Sequence, residues 1–371
     1  MKILSFFSFI FFILTVVALM YAGADAQWLE ATVTIPDSII GVTNPRCFAC
    51  DTISNKVYVS GGCYVLVIDG HTHEKIKRIQ VEGSPSALIW HSGLDKIYSA
   101  NKGSNTISVI DCCSDSIICT IQLDIEPNSL LLSPFNAYLQ SPFHNKLYVG
   151  SSASSCQNLC VIDCTVDEVV AEIYTGSRPY ALACDTKRQR VFVANFSWNG
   201  ELIVVDGKTD TVMNSIEVEQ LPCAVLYDSL NDKIYVANRN SNSISVIDAA
   251  TDSVIDRLSQ MYIISGPNGF TFNSVNNKVY CSNGGSNYVT IIDGGTHNII
   301  DHLSVGQSPK GIIWNPINNK VYCGCRYSGW VAVIDGEQDT LVGSVNTWGL
   351  LNTLTCNPVN NEVYVANNND I

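Results

Sequence analysis

Seven aspartates close the same short phrase, V/I-I/V-Asp, along this chain: Asp69, Asp111, Asp163, Asp206, Asp248, Asp293 and Asp335. A carboxylate is the side chain of a general base or of a hard metal ligand, so the first question is whether these groups do chemistry. Their spacings are 42, 52, 43, 42, 45 and 42 residues. A group that returns once per unit is best explained by what every unit needs. An Asp at the end of a strand accepts backbone N–H bonds from the turn that follows, and Gly or Ala follows five of the seven. These aspartates are therefore expected to be structural, as are the recurrent asparagines Asn101, Asn195, Asn238, Asn283 and Asn367.

Ligand chemistry is expected where the repetition breaks. Just after a series of strand-opening prolines stand Arg46, Ser86, Tyr180, Cys223, Asn268 and Lys310. Neighbouring loops carry Lys102, the run Phe196-Ser197-Trp198, Arg239 and the pair Arg326-Tyr327. Cations and aromatics gathered at one rim suit a protein, a glycan or a small anionic ligand. The expected binding residues are Arg46, Tyr180, Trp198, Arg239, Lys310, Arg326 and Tyr327, with Arg46, Tyr180 and Lys310 converging on one axis. No residue reads as catalytic, and no cofactor or metal is expected. The histidines 71, 73, 91, 144 and 297 fall in turns remote from that rim, which withholds the commonest zinc and haem ligand from it. Cys47-Phe-Ala-Cys50 is a lone Cys-x-x-Cys on a strand, where positions three apart face opposite sides. Lactonase or quinoprotein chemistry is the alternative reading, and the absence of a carboxylate from these rim positions argues against it.

The elements that must position these residues are short strands. Before each repeated Asp lies a "KVYV"-like run whose aromatic is Tyr58, Tyr98, Tyr148, Phe192, Tyr235, Tyr280 or Tyr322, and an eighth run holds Tyr364. In residues 308–345, "PKGIIWN", "KVYCG", "WVAVID" and "TLVGSV" read as four strands separated by turns. Four antiparallel strands per period of about forty residues form one blade of a β-propeller. The fold class is thus all-β, with seven complete repeats and a partial eighth. First and second strands occur eight times and third strands seven. Fourth strands occur eight times if residues 30–35 supply one, so seven and eight blades both remain open.

The stretches "VYVSGGCYVLVIDG", "IYVANRNSNSISVIDAATDSVID" and "VYVANNND" resemble the YVTN β-propeller repeat family. That resemblance covers the chain from about Thr32 onward and implies a propeller exported to, or displayed on, the surface of a bacterium or archaeon. Two departures are Cys in place of Val after Tyr280 and Tyr322, and an insertion near "DIEPNSLLLSPFNAYLQ" in the third repeat.

Composition narrows the partners. The formal charge of −13 repels phosphate backbones, so nucleic acid is not an expected partner. Lys2, the apolar residues 3–22 and Ala24-Asp25-Ala26 form an export leader. The expected organisation is a signal peptide, residues 1–26, and one propeller domain, 27–371, secreted, periplasmic or on the cell surface. An uncleaved anchor is the alternative reading of the leader, and no other stretch is long and apolar enough to span a bilayer. The 15 cysteines are an odd number placed by the repeat, as small core residues are. Local pairs such as Cys112 or Cys113 with Cys119, or Cys156 with Cys160, stay open.

Overall fold

The computed structural model describes residues 12–18, 31–35, 42, 44–134 and 144–368. Seven four-stranded antiparallel blades are each built from one stretch of chain: residues 45–80, 85–122, 127–174, 179–217, 222–259, 267–304 and 309–346. They are numbered 1 to 7 below. First strands of successive blades pack side by side, and the ring closes where Leu350–Asn357 meets Pro45–Asp51.

An eighth sheet completes the circle. Its inner strands are Leu350–Asn357 and Glu362–Asn368, and onto them pair Phe12–Ala18 and then Ala31–Ile35. The outermost strand is the one that strand counting anticipated at residues 30–35. The third was not anticipated: Phe12–Ala18 lies inside the segment that reads as an export leader. The third repeat's extra residues also differ from expectation. Pro127–Leu132 is an ordinary first strand, and the surplus falls between it and Lys146–Ser151. The reading of residues 124–140 as one inserted loop therefore needs correction, because the apolar "PNSLLL" pairs with "KLYVGS" as every first strand pairs with its second. The remainder, 135–143, lies outside the described residues.

Burial follows the strand order. Second and third strands are buried almost throughout, whereas fourth strands alternate toward solvent. The recurrent aromatic of the second strand, Tyr58, Tyr98, Tyr148, Phe192, Tyr235, Tyr280, Tyr322 or Tyr364, is the largest fully buried side chain of its blade. A buried phenol needs a hydrogen-bond partner, and the next blade supplies it. Tyr58 donates to Asp115 at 2.6 Å, Tyr98 to Asp167 at 2.7 Å and Tyr280 to Asp339 at 2.9 Å.

The residue two before each aromatic completes this latch. Lys56, Lys96, Lys146 and Lys278 reach Asp115, Asp167, Asp210 and Asp339 across the seam at 2.6–2.7 Å, and Arg190 reaches Asp252 at 3.0 Å. Each acceptor stands four residues after a repeated Asp, at a turn position of positive φ, 49° to 58°. Asp tolerates that conformation because its short side chain bonds locally. Where the position is histidine the partners change with it. His73 faces Glu362 at 3.1 Å, and beside His297 the lysine, Lys233, turns back to Asp248 of its own blade.

All 15 cysteines are thiols. The five cysteines of the open local pairs, Cys112, Cys113, Cys119, Cys156 and Cys160, are thus unbridged. No helix of the described residues is long and apolar enough to cross a membrane.

Candidate functional site at the channel mouth

Every first strand except one opens with a proline, and in all eight the pairing with the second strand slips directly after that position. The slipped residues are Arg46, Ser86, Asn128, Tyr180, Cys223, Asn268, Lys310 and Asn352. A bulge re-aims its extra side chain, and here it delivers one residue per blade to the rim. Four of them close seams by donating to the next blade's opening-proline carbonyl. Ser86 bonds Pro127 at 2.8 Å, Cys223 Pro267 at 3.2 Å, Asn268 Pro309 at 3.2 Å and Asn352 Pro45 at 2.8 Å. Asn128 accepts from Ser152. Arg46, Tyr180 and Lys310 are the departures.

Two of those three belong to one arc over blades 4 to 7. The Lys310 ammonium lies below the usual lysine range, first because neighbouring protein partly desolvates it and then because Arg326 and Arg239 repel its charge. The Tyr180 phenol is pushed up by burial and by Cys223, with Arg239 opposing. Tyr180, Arg239, Lys310 and Arg326 thus share one electrostatic neighbourhood. Arg46, on blade 1, is bonded to Ser84 of the blade 1–2 connection at 3.1 Å.

Among the described residues Arg239, Lys310 and Arg326 form no ion pair, and the Nε of Arg326 is enclosed without a hydrogen-bond partner. Cations that repel one another without a counter-ion, in a chain of net charge −13, make a local anion-attracting field. Aromatics frame it. Phe196 packs against Tyr180 with ring centroids 5.0 Å apart, Arg178 lies 6.0 Å from the Phe196 ring, and Arg326 lies 5.7 Å from the Tyr327 ring. Trp198, Tyr327 and Trp348 are 65%, 62% and 69% exposed.

Trp348 and Tyr262 were missed in the sequence. Both sit in blade-to-blade connections and hold φ at 56° and 68°, a conformation that costs a bulky residue of order 1–3 kcal/mol. Both exposed rings stand on the mouth face in the left-handed region that bulky residues rarely adopt. Only a misfit between residue type and tight turn, the bulky ring in "NTWGL" and "QMYII", could have signalled them. On blades 2 and 3 the same face differs: a polar cavity of about 310 Å³ is lined by Asp124, Glu126, Ser155, Gln157 and Asn158.

The repeated aspartates take no part in the mouth. Each accepts backbone N–H groups of the turn two or three residues on, on the opposite face. Those bonds, led by the N–H of Thr72 and of Thr296, hold the Asp69 and Asp293 carboxyls below the usual range.

No family model matches the chain, and no curated protein matches it. Solved structures do. Sqt1 of Saccharomyces cerevisiae superposes with a TM-score of 0.72 over 88% of this chain and 96% of its own, at 8% identity. Hydrazine synthase of Kuenenia stuttgartiensis gives 0.64 over 79% and 96%, at 18% identity. The Cps50 (Swd1) β-propeller domain of Myceliophteria thermophila gives 0.61 over 79% and 96%, at 12% identity. At such identities the likeness establishes the fold, a β-propeller, and nothing about ligands.

Proposed function

We propose that this protein is an exported, non-catalytic propeller of the YVTN type that holds an anionic partner, a surface glycan, an acidic protein segment or a small anionic ligand, at its channel mouth. The observation that carries this reading is the arc of Arg239, Lys310 and Arg326, which lacks a carboxylate partner among the described residues and is bordered by exposed rings. Guanidinium groups recognise carboxylates and phosphates by paired hydrogen bonds, and exposed Trp and Tyr offer flat faces to sugar rings. The fold supports the same reading, since residues far apart in sequence are gathered at one rim by the ring itself.

A glycan array and a pull-down from an envelope extract, run with wild type and with Lys310→Ala/Arg326→Ala, test it. Ligands captured by wild type should bind the double variant at least tenfold more weakly, while Lys187→Ala/Lys208→Ala on the opposite face binds as wild type does. Equal loss from both faces would mean attraction to net charge alone and sink the site. Export is tested by the N-terminal mass of the product: a start near Gln27 supports it, and retention of Met1 contradicts it. Removal of residues 1–26 also takes Phe12–Ala18 out of the eighth sheet, so the two N-termini differ in which strand covers Glu362–Asn368.

A further inference from the structure

The turns joining first to second strands, on the face opposite the mouth, are tied to one another around the ring. In blades 6, 7 and 8 the residue ending the first strand is asparagine, and its Nδ2 donates across the seam to an asparagine Oδ1 of the next turn. Asn273 bonds Asn319, Asn315 bonds Asn361 and Asn357 bonds Asn55, each at 2.8 Å. Between blades 4 and 5 both positions are aspartate, Asp185 and Asp232, and two acceptors cannot bond each other. The chain inserts a cation there: Arg188 bonds Asp185 at 3.1 Å and Asp232 at 2.8 Å, and Arg190 adds a second bond to Asp185.

Between blades 1 and 2 the same pair recurs as Asp51 and Asp95, without that cation. The residue equivalent to Arg188 is Ser54, and the one equivalent to Arg190, Lys56, is engaged by Asp115 and the Cys112 carbonyl oxygen. Asp51 is 1% exposed. Its Oδ1 accepts the N–H groups of Ile53 and Ser54, and its Oδ2 is enclosed with no partner. Its counterparts in blades 6 to 8 aim their second side-chain atom across the seam at the residue equivalent to Asp95. A third ligand points at the same spot. Cys112 stands where blade 7 has Gly336, and a Cβ at Gly336 would meet Asn273 Nδ2 at 2.7 Å and Asn319 Oδ1 at 2.9 Å. A carboxylate oxygen of Asp51, one of Asp95 and the Cys112 Sγ lie within 4.8 Å of one another.

We propose that this seam binds one divalent cation of borderline softness, zinc being the type, through Asp51, Asp95 and Cys112. The ion does for the blade 1–2 seam what Arg188 does for the blade 4–5 seam. Two carboxylates with one sulfur favour zinc over magnesium or calcium, which take oxygen ligands alone. Zinc holds such ligands at about 2.0–2.3 Å in a four-coordinate shell, whose remaining position water would take. Asp95 is partly exposed and forms the way in. The entering ion takes the sulfur's lone pair, and the Cys112 thiol proton leaves to solvent.

The site does not depend on the mouth, and its test is separate. Untagged chain in a Cys63→Ser/Cys113→Ser background, which removes the two exposed thiols, is stripped with chelator and titrated with zinc chloride and with cobalt chloride. One equivalent should bind, cobalt should show a sulfur-to-metal charge-transfer band, and zinc should raise the melting temperature. Asp51→Asn restores the asparagine found in three other blades. It should fold, yet weaken binding by more than the roughly 10–100-fold that loss of an outer-shell contact costs, and Cys112→Ala should abolish the cobalt band. Absence of uptake by the parent chain, or uptake unchanged by Asp51→Asn, overturns the proposal. A chain that takes up no zinc but is stabilised by Asp51→Asn overturns it too, in favour of two carboxyls sharing a proton.

Discussion

The two faces of this propeller use their cations in opposite ways. On the face opposite the mouth, Lys56, Lys96, Lys146, Arg188, Arg190, Lys233 and Lys278 are each within 4.0 Å of a carboxylate. At the mouth Arg239, Lys310 and Arg326 have none among the described residues, and Lys102, 3.9 Å from Glu126, is the mouth's paired exception. Six of the first set recur at the position that opens the second strand, with Arg188 two residues before it, whereas Arg239 and Arg326 follow the second strand and Lys310 stands at a bulge, positions where other blades carry other residue types. The difference separates two kinds of work. What recurs with the blades holds neighbouring blades together, and what departs from the repeat is free to meet something outside the chain. The blade 1–2 seam carries the lesson further, because it is the place on the repetitive face where two carboxylates meet without the cation that the chain supplies at the blade 4–5 seam.

That contrast breaks most visibly in stability. Lys146→Met leaves Asp210 enclosed and uncompensated, the pair being 10% and 15% exposed, and should cost about 3–5 kcal/mol. Lys310→Ala, which relieves like-charge repulsion, should leave the melting temperature unchanged or slightly higher. Chemical unfolding of the two variants side by side measures this, and equal losses would erase the distinction between the faces.

Smaller effects sharpen it. Tyr98→Phe removes a 2.7 Å bond to Asp167 and should cost about 1.5–3 kcal/mol, whereas Tyr148, 3.5 Å from Asp210, should lose less than about 1 kcal/mol on the same change. Phe192 shows that the aromatic ring alone is tolerated in one blade. Acid unfolding reports two other ion pairs of the repetitive face. The Arg188 guanidinium holds Asp232 at about 2, and the Lys233 ammonium holds Asp248 at about 2. An unfolded Asp titrates near about 3.9, so the stability these pairs lend is complete above about pH 4 and is lost as pH falls through 2. Asp248→Asn should therefore flatten the stability profile between pH 4 and pH 2, and the mouth variants should leave that limb unchanged.

Within one blade most of this was legible. "KVYV" and "VID" declared strands two and three through aromatic and β-branched content, and the turn after Asp248 declared itself by residue type. Contacts across a seam were harder to read because they join different positions of successive repeats. Tyr58 meets Asp115, 57 residues on, and nothing in the spacing of the "VID" phrase marks the residue four places later as its acceptor. Aligning the repeats does mark it, since Asp115, Asp167, Asp210, Asp252 and Asp339 share the position with His73 and His297. The bulge that presents Arg46, Tyr180 and Lys310 has no sequence signature beyond the preceding proline. Phe12–Ala18 carries two readings, because an apolar, β-branched run suits an export leader and a blade strand equally well.

Everything said of the mouth rests on whether its unpartnered cations bind an anion. Calorimetric titration with polygalacturonate, a linear polycarboxylate sugar, at two salt concentrations compares wild type with Arg239→Ala/Lys310→Ala/Arg326→Ala most directly. The expected result is saturable binding to wild type that weakens as salt rises, at least a tenfold loss in the triple variant, and equal melting temperatures. Identical isotherms for the two proteins, or binding to neither, would contradict the assignment of this face to an anionic partner.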